Sequence, residues 1–351
     1  MYNFRINSAN SVINVASYLA VVTSGIFLLG ASGVQAQTAK YTAKIAHLEQ
    51  ATQPRHQGLE RVAALVKERT KGEVEFKLYP SSQLGNARQM TEGVQFGAIE
   101  STVMPASFLG GFNPVVSVLD VPYVYPTDRA NAQKLRSGPF GQAILESFQS
   151  KGVQAITIWA NGRKSITSNK SLDDLTVLTG QKFRVMDSKI LVEQFAAVGA
   201  SAVMINFGEL YTSLQTGLVD GQENPPDTMT TMKFHEVQKN LVVTEHGAME
   251  DLVLFNKAGW NNLPQGHREV ITKAFHEVGP EVAKMKEAAM NSAIDTMKAA
   301  KLNVRVASES ERNKFASATS QRARAAYIER AGADGKKILD ILDAERKKLG
   351  L

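Results

Sequence analysis

The sequence contains no cysteine. That absence excludes thiol catalysis, disulfide scaffolds, thiolate metal sites and lipid attachment at an N-terminal cysteine. Catalytic signatures are also missing: there is no Gly-x-Ser-x-Gly elbow, Gly-x-Gly-x-x-Gly turn, Walker loop or His-Glu-x-x-His pair. The six histidines (His47, His56, His235, His246, His267 and His276) lack metal-ligand spacing and read as surface or capping residues, so no metal and no cofactor is expected. Charge of one sign is scarce too. The formal net charge is +6, and lysines and arginines alternate with acids rather than forming a basic block, so no nucleic-acid partner is expected. Beyond residue 36 no stretch is apolar and long enough to cross a bilayer.

What is present is a globular composition. Of 351 residues, 43% are hydrophobic and 21% charged, enough chain for two ordinary domains. Residues 1–36 carry a single charge, Arg5, followed by an apolar run and the small-residue ending Val34-Gln35-Ala36. This reads as a secretory signal peptide cut after Ala36, placing the mature chain in the periplasm.

Apolar periodicity supplies the elements. Residues 40–48 alternate as a strand, 58–70 carry helical spacing with Gly72 as a stop, and strands at 74–78 and 101–104 flank a helix at 86–96. This order predicts an α/β lobe with a largely parallel sheet. Residues 114–126, apolar and proline-punctuated, read as an extended connection. A helix at 141–151 and a strand at 153–159 follow, and near Ala160-Asn161-Gly162 the pattern starts again. The second block has a strand around Arg184, a helix at 191–198, a strand at 202–205, a helix at 207–217 and a polar turn at 222–226. Separate strands are expected at 242–244 and 252–255. Pro264 and Pro280 each read as opening a helix. The methionines at 285, 290 and 297 read as a packed helix face. A strand at 303–306 and two amphipathic helices close the chain, the first capped by Ser308 with Glu311.

One stretch, residues 181–188, draws attention. Arg184 lies between the apolar Phe183 and Val185 of a short strand. A guanidinium there must reach water or meet an anion, because a buried unpaired charge is expensive. Pattern alone leaves two readings open: an internal ion pair, or a docking point for a ligand carboxylate. Lys164 is a second candidate cation. Asn161, Thr167, Ser168, Ser188 and Asn224 can give directed hydrogen bonds, and Pro225-Pro226 stiffen the loop presenting Asn224. Asn224 also fits a simple turn asparagine.

Five stretches resemble a known family. They are Leu78 to Gly85, Leu119-Asp120-Val121-Pro122-Tyr123, Trp159 to Lys164, Gly180-Gln181-Lys182-Phe183-Arg184-Val185, and a run from Leu214 ending Asp220-Gly221-Gln222-Glu223-Asn224-Pro225-Pro226. In sequence and order they are similar to the solute-binding subunits of tripartite ATP-independent periplasmic (TRAP) transporters, the DctP family. The resemblance covers nearly the whole mature chain. It implies a non-enzymatic, periplasmic-binding-protein-like α/β fold, with two lobes around a hinge cleft and a long C-terminal helix spanning both. The first lobe would be 37–160 with 250–289, and the second 161–249 with 290–351.

The resemblance makes Arg184 the carboxylate clamp, adds Asn224, and makes Lys164 a second basic anchor, as in four-carbon dicarboxylate binders. Ser188, Asn161 and His47 complete the expected ligand contacts, with Gln83 and residues 104–107 less specifically indicated. The implied partners are a small organic acid and TRAP membrane permease subunits, with the protein itself a monomer. Succinate, malate or fumarate would be the favoured class, with sugar acids, aromatic acids and 2-oxo acids as alternatives. A ligand sensor for a signalling receptor and a periplasmic hydrolase or isomerase are the readings from other classes.

Overall fold

The computed structural model describes residues 39–351; the expected signal peptide and its expected cleavage point lie outside them. The chain begins with β1 (Tyr41–Ala46), α1 (Pro54–Arg69), β2 (Val74–Tyr79), α2 (Ala87–Phe96) and β3 (Ser101–Pro105). Local chemistry sets these boundaries. Pro54 fills the first turn of α1, where its missing N–H costs nothing. Asn86 and Gln89 form a reciprocal capping box on α2, and Gly97 ends it in the left-handed region at φ +81°. Leu59, Val62 and Val66 of α1 share one buried cluster with Ile45, Val103 and, from much later in the chain, Phe275, Val278 and Val282.

Residues 114–126 are not simply extended. Pro114–Asp120 forms a 3-10 helix, because Pro114 presets the first turn and Asn113 accepts a hydrogen bond from the Val115 amide. Two short helices follow, α3 (Arg129–Ser137) and α4 (Pro139–Glu146), the first being one the apolar pattern misses.

The largest departure from expectation comes next. The strand predicted to stop near Trp159 runs on as β4 (Val153–Ser168), straight through Asn161 and Gly162. After β5 (Lys182–Val185), α5 (Lys189–Ala196), β6 (Ser201–Met204), α6 (Leu210–Gln215), β7 (Gly221–Asn224) and α7 (Pro226–Thr231), the two strands expected at 242–244 and 252–255 are one, β8 (Asn240–Asn256). The register of β4 on β8 slips between Ala155 and Thr157, between Ala160 and Arg163, and between Lys164 and Ile166. Bulges keep a strand paired while bending it. Gly162 supplies φ +96° at one of them, which is why it reads locally as a break. The supposed turn at 222–224 is likewise a strand, β7, zipped antiparallel to β4 with Ser165 opposite Asn224.

The sheet order among the described residues is β2-β1-β3-β8-β4-β7-β5-β6. Parallel sets β2-β1-β3 and β7-β5-β6 flank the antiparallel pair β8/β4. The expectation of a largely parallel sheet holds for each flank and fails at the centre. Two long strands are therefore the covalent and hydrogen-bonded connection between the two α/β halves.

Helix α8 (Lys257–Asn262) precedes α9 (Gln265–Ala299), a single 35-residue helix rather than two. Its length is about 50 Å. It passes through Pro280, which cannot donate to the carbonyl one turn back; nearby, the Phe275 carbonyl accepts the Trp159 indole N–H at 2.9 Å. Strand β9 (Asn303–Val306) pairs with β8. The closing helical stretch α10 (Glu309–Lys348) starts at the expected Ser308/Glu311 capping box and breaks at Gly332, φ +60°. Before the break Arg322 pairs with Glu193 of α5, and Tyr327 Oη donates to the Val115 carbonyl. After it Glu345 accepts from the Phe140 amide, and Arg346 donates to the carbonyls of Tyr123 and Val124. The C-terminal helices thus span both halves.

Candidate functional site

β5 alternates as its sequence suggests. Phe183 and Val185 enter an apolar cluster with Phe195, and the Phe183 and Phe195 rings stack at 4.4 Å. Arg184 therefore points to the other face. The register places it beside Gln222 of β7, so Arg184, Gln222 and Asn224 share that face. Asn224 Nδ2 donates to Gln222 Oε1 at 2.5 Å.

The Arg184 side chain is fully buried. Its Nε donates to the Ile205 carbonyl at 2.9 Å, while both terminal nitrogens lack any partner. Its Cζ lies 5.9 Å from the ring centre of Phe108, which comes from the other half of the sheet. Burial pushes its pKa down to about 10, with Glu223 pulling weakly the other way. Among the described residues it is the one guanidinium with both terminal nitrogens buried and unpartnered. The internal ion pair that pattern alone left open is absent.

Lys164 differs from the expectation of a free second cation. Its ammonium meets Glu223 Oε1 at 2.8 Å with both side chains fully buried. Glu223 Oε2 accepts from Gln194 at 3.0 Å and contacts His246 Nε2 at 2.7 Å, and His246 Nδ1 lies 2.6 Å from Thr244 Oγ1. Burial opposes the charge of Glu223, but Lys164 and His246 outweigh it and hold the carboxyl well below its usual range. Glu223 alternates away from the face of Gln222 and Asn224, so Lys164 is committed to a structural network. Thr244, His246 and Glu223 look like a hydroxyl–base–acid series. All three are fully buried and none borders the cleft cavity, so no substrate reaches them.

A narrow cavity lies between the halves, bordered by Glu49, Arg55, Phe108, Asn161, Met186 and Asn224 among others. Asn161 enters it from the β4 bulge. Its Nδ2 donates to Glu49 at 3.1 Å and Asp251 at 3.2 Å, leaving Oδ1 free. Arg55 makes a two-pronged pair with Asp251 (2.6 and 2.8 Å) and sits 3.4 Å from Glu49, with Nη1 unpartnered. Lys286 of α9 pairs with Asp227 at 2.5 Å and Glu49 at 3.5 Å. Burial opposes the Glu49 charge, but Arg55 and Lys286 more than offset that and hold it at about 2. Burial pushes the Asp251 carboxyl above its ordinary range, while the Arg55 guanidinium beside it pulls the other way. Sequence reasoning missed Glu49, Arg55, Asp251, Asp227 and Lys286. Each looks like an ordinary surface charge, and only the fold gathers them.

Ser188 is buried at the start of α5 with a free hydroxyl. His47 is buried against His56, Nε2 to Nδ1 at 3.0 Å. Neither borders the cavity. Of residues 104–107 only Pro105 does so, and Gln83 is exposed. Burial, then the Arg55 charge, lowers the His47 imidazole to about 3. His47 is thus neutral in the fold but protonates near its ordinary pKa, about 6.5, when unfolded. Between those values the unfolded chain binds more protons, so stability is full above pH 6.5 and falls as pH drops towards 3. Buried His246, also lowered by burial, adds in the same direction. We expect His47→Gln to reduce the stability lost between pH 6.5 and 4.5 by about 2 kcal/mol, read by urea denaturation at each pH. An unchanged pH slope contradicts the neutral assignment.

Arg184 does not itself border the cavity, but it is buried and unneutralised beside two residues that do, Phe108 against its guanidinium and Asn224 on its face of the sheet. An arginine left ready for an anion where two α/β halves meet fits a solute-capturing protein. The family model for bacterial extracellular solute-binding proteins, family 7 (DctP), matches residues 45–330, and the chain belongs to this family of periplasmic TRAP-transporter subunits. It is 31% identical to the 2,3-diketo-L-gulonate-binding periplasmic protein of Escherichia coli, over 92% of this chain and 98% of that one. It is 34% identical to the C4-dicarboxylate-binding periplasmic protein of Rhodobacter capsulatus, over 67% and 70%. Among solved structures, a TRAP periplasmic solute-binding protein from Desulfovibrio salexigens with bound orotic acid is 56% identical. It covers 88% of this chain and 99% of its own, with a TM-score of 0.86. The family binds small organic acids and works with TRAP membrane components.

Proposed function

We propose that this protein captures an organic acid through a single carboxylate docked on Arg184 and delivers it to a TRAP permease. The observation that carries this is the buried pair of unpartnered Arg184 nitrogens. A guanidinium fork matches a carboxylate with two parallel charge-assisted bonds, and a ligand carboxylate would discharge a desolvation cost that nothing else in the chain meets. Asn224, on the same face, supplies a neighbouring polar group, and Phe108, Met186, Phe207 and Met249 supply apolar walls.

This reading favours ligands with one carboxylate over four-carbon dicarboxylates, because Lys164 is already neutralised by Glu223. The orotic acid bound to the 56% identical relative, a planar ring with one carboxylate, supports the same preference. Closure brings residues 37–160 with 250–289 against residues 161–249 with 290–331, flexing at the β4/β8 bulges; the helix after Gly332 moves with the first group, to which Glu345 and Arg346 bind it. The test is calorimetric titration of the purified protein with orotate, succinate, malate, a gulonate and benzoate. We expect one-to-one binding, tightest for a monocarboxylate. Tightest binding of a dicarboxylate would sink the single-anchor reading.

A further inference from the structure

The cavity wall carries a set of free polar atoms. Glu49, Arg55 and Asn161 are buried, with exposures of 4%, 1% and 2%, and all three border the cavity. Each has a side-chain atom without a partner: Glu49 Oε2 and Asn161 Oδ1, both acceptors, and Arg55 Nη1, a donor. Their other atoms are taken by one another and by Asp251 and Lys286. Those bonds fix the rotamers, so the free atoms are held in place before any ligand arrives.

The charge of this wall decides what it can accept. Arg55 and Lys286 face Glu49, Asp251 and Asp227, so two cations stand against three carboxyl groups. A second ligand carboxylate would gain the Arg55 donor but meet a wall without surplus positive charge. A hydroxyl edge could use the acceptors, yet a flexible polyol loses rotational freedom in a slot walled by Phe108, Met186 and Phe207. A rigid ring edge that alternates N–H and C=O satisfies all three atoms at once. Its N–H groups donate to Glu49 Oε2 and Asn161 Oδ1, and its carbonyl accepts from Arg55 Nη1.

We propose that Glu49, Arg55 and Asn161 are the specificity-determining residues, selecting a planar carboxylate whose ring also presents an N–H, C=O, N–H edge. The proposal rests on the Arg184 reading for the carboxylate end and adds the recognition of the other end. Buried acceptors left unmatched are the source of discrimination, because a ligand lacking the N–H strands a desolvated charge.

The test uses orotate as the amide-edged probe and picolinate and benzoate as planar carboxylates without that edge, titrated by calorimetry. The wild-type protein is expected to bind orotate at least about 100-fold more tightly than either. Glu49→Gln should shrink that ratio to below about 10-fold. Equal wild-type affinity for orotate and benzoate, or no orotate binding, overturns the proposal without any variant. So does a Glu49→Gln protein that keeps the full ratio. Should Glu49→Gln fail to fold, Asn161→Asp replaces it: adding a charge beside Glu49 should weaken orotate binding at least about 10-fold, and unchanged binding overturns the proposal. Failure of the clamp reads differently: Arg184→Ala would then keep its affinity for all three probes.

Discussion

Arg184→Ala is expected to abolish ligand binding while leaving the fold intact. Two charge-assisted hydrogen bonds contribute about 1.5–3 kcal/mol each. Their loss should weaken affinity by roughly 10²–10⁴-fold and remove ligand-induced thermal stabilisation. The ligand-free protein should melt at the same temperature or higher, because the wild-type side chain buries two unpartnered terminal nitrogens against the apolar ring of Phe108. That opposite sign separates a clamp from a structural arginine. Arg184→Lys should not rescue binding, since an ammonium cannot present a planar fork. Affinity in the alanine variant within about threefold of wild type, or a sharply lower ligand-free melting point, would refute the assignment.

The second large effect is on stability. Lys164→Ala leaves Glu223 fully buried with Gln194 and a His246 whose charged form is disfavoured by burial. Removing one partner of a buried pair costs about 3–5 kcal/mol, and urea denaturation should record a loss of that size at pH 7. The double variant Lys164→Met/Glu223→Gln should recover most of it, because no charge is then stranded. Were Lys164 instead a second ligand anchor, the single variant would keep its stability and lose dicarboxylates selectively. Those two outcomes do not overlap.

How much of this could be read from the sequence depends on the distance over which each signal acts. Arg184 was visible because strand alternation is local: three residues suffice to show a charge among inward-facing neighbours. The capping of α10, and the strands β1 and β2, were visible for the same reason. Lys164 stood out as a cation, but neither its place on β4 nor its role was legible, since the strand reads locally as ending near Trp159 and its partner Glu223 arrives 59 residues later through β4/β7 pairing. Arg55 and Asp251 are 196 residues apart, and nothing near either one forecasts the other.

The continuity of β8 was hidden by its own composition. Thr244, Glu245, His246 and Gly247 look like a turn. They stay in the strand because Gly247 pairs with Lys164 of β4, the Thr244 hydroxyl donates to the Lys164 carbonyl, and Phe315 of α10 packs against the His246 ring. The final helix of the chain thus decides what an earlier segment can be.

The pair β4/β8 also has a kinetic consequence. β3 closes on β8 with residue 101 opposite residue 255, and β4 closes on it with 153 opposite 256. Until residue 256 is available, the sheet of the first half has an open edge, although its helices and β1–β3 are already synthesised. Both halves wait on one late strand. Such non-local pairing makes folding slow for the chain's size. During synthesis, β3 and β4 therefore lack their common neighbour until β8 has been made, and the sheet can be completed only late.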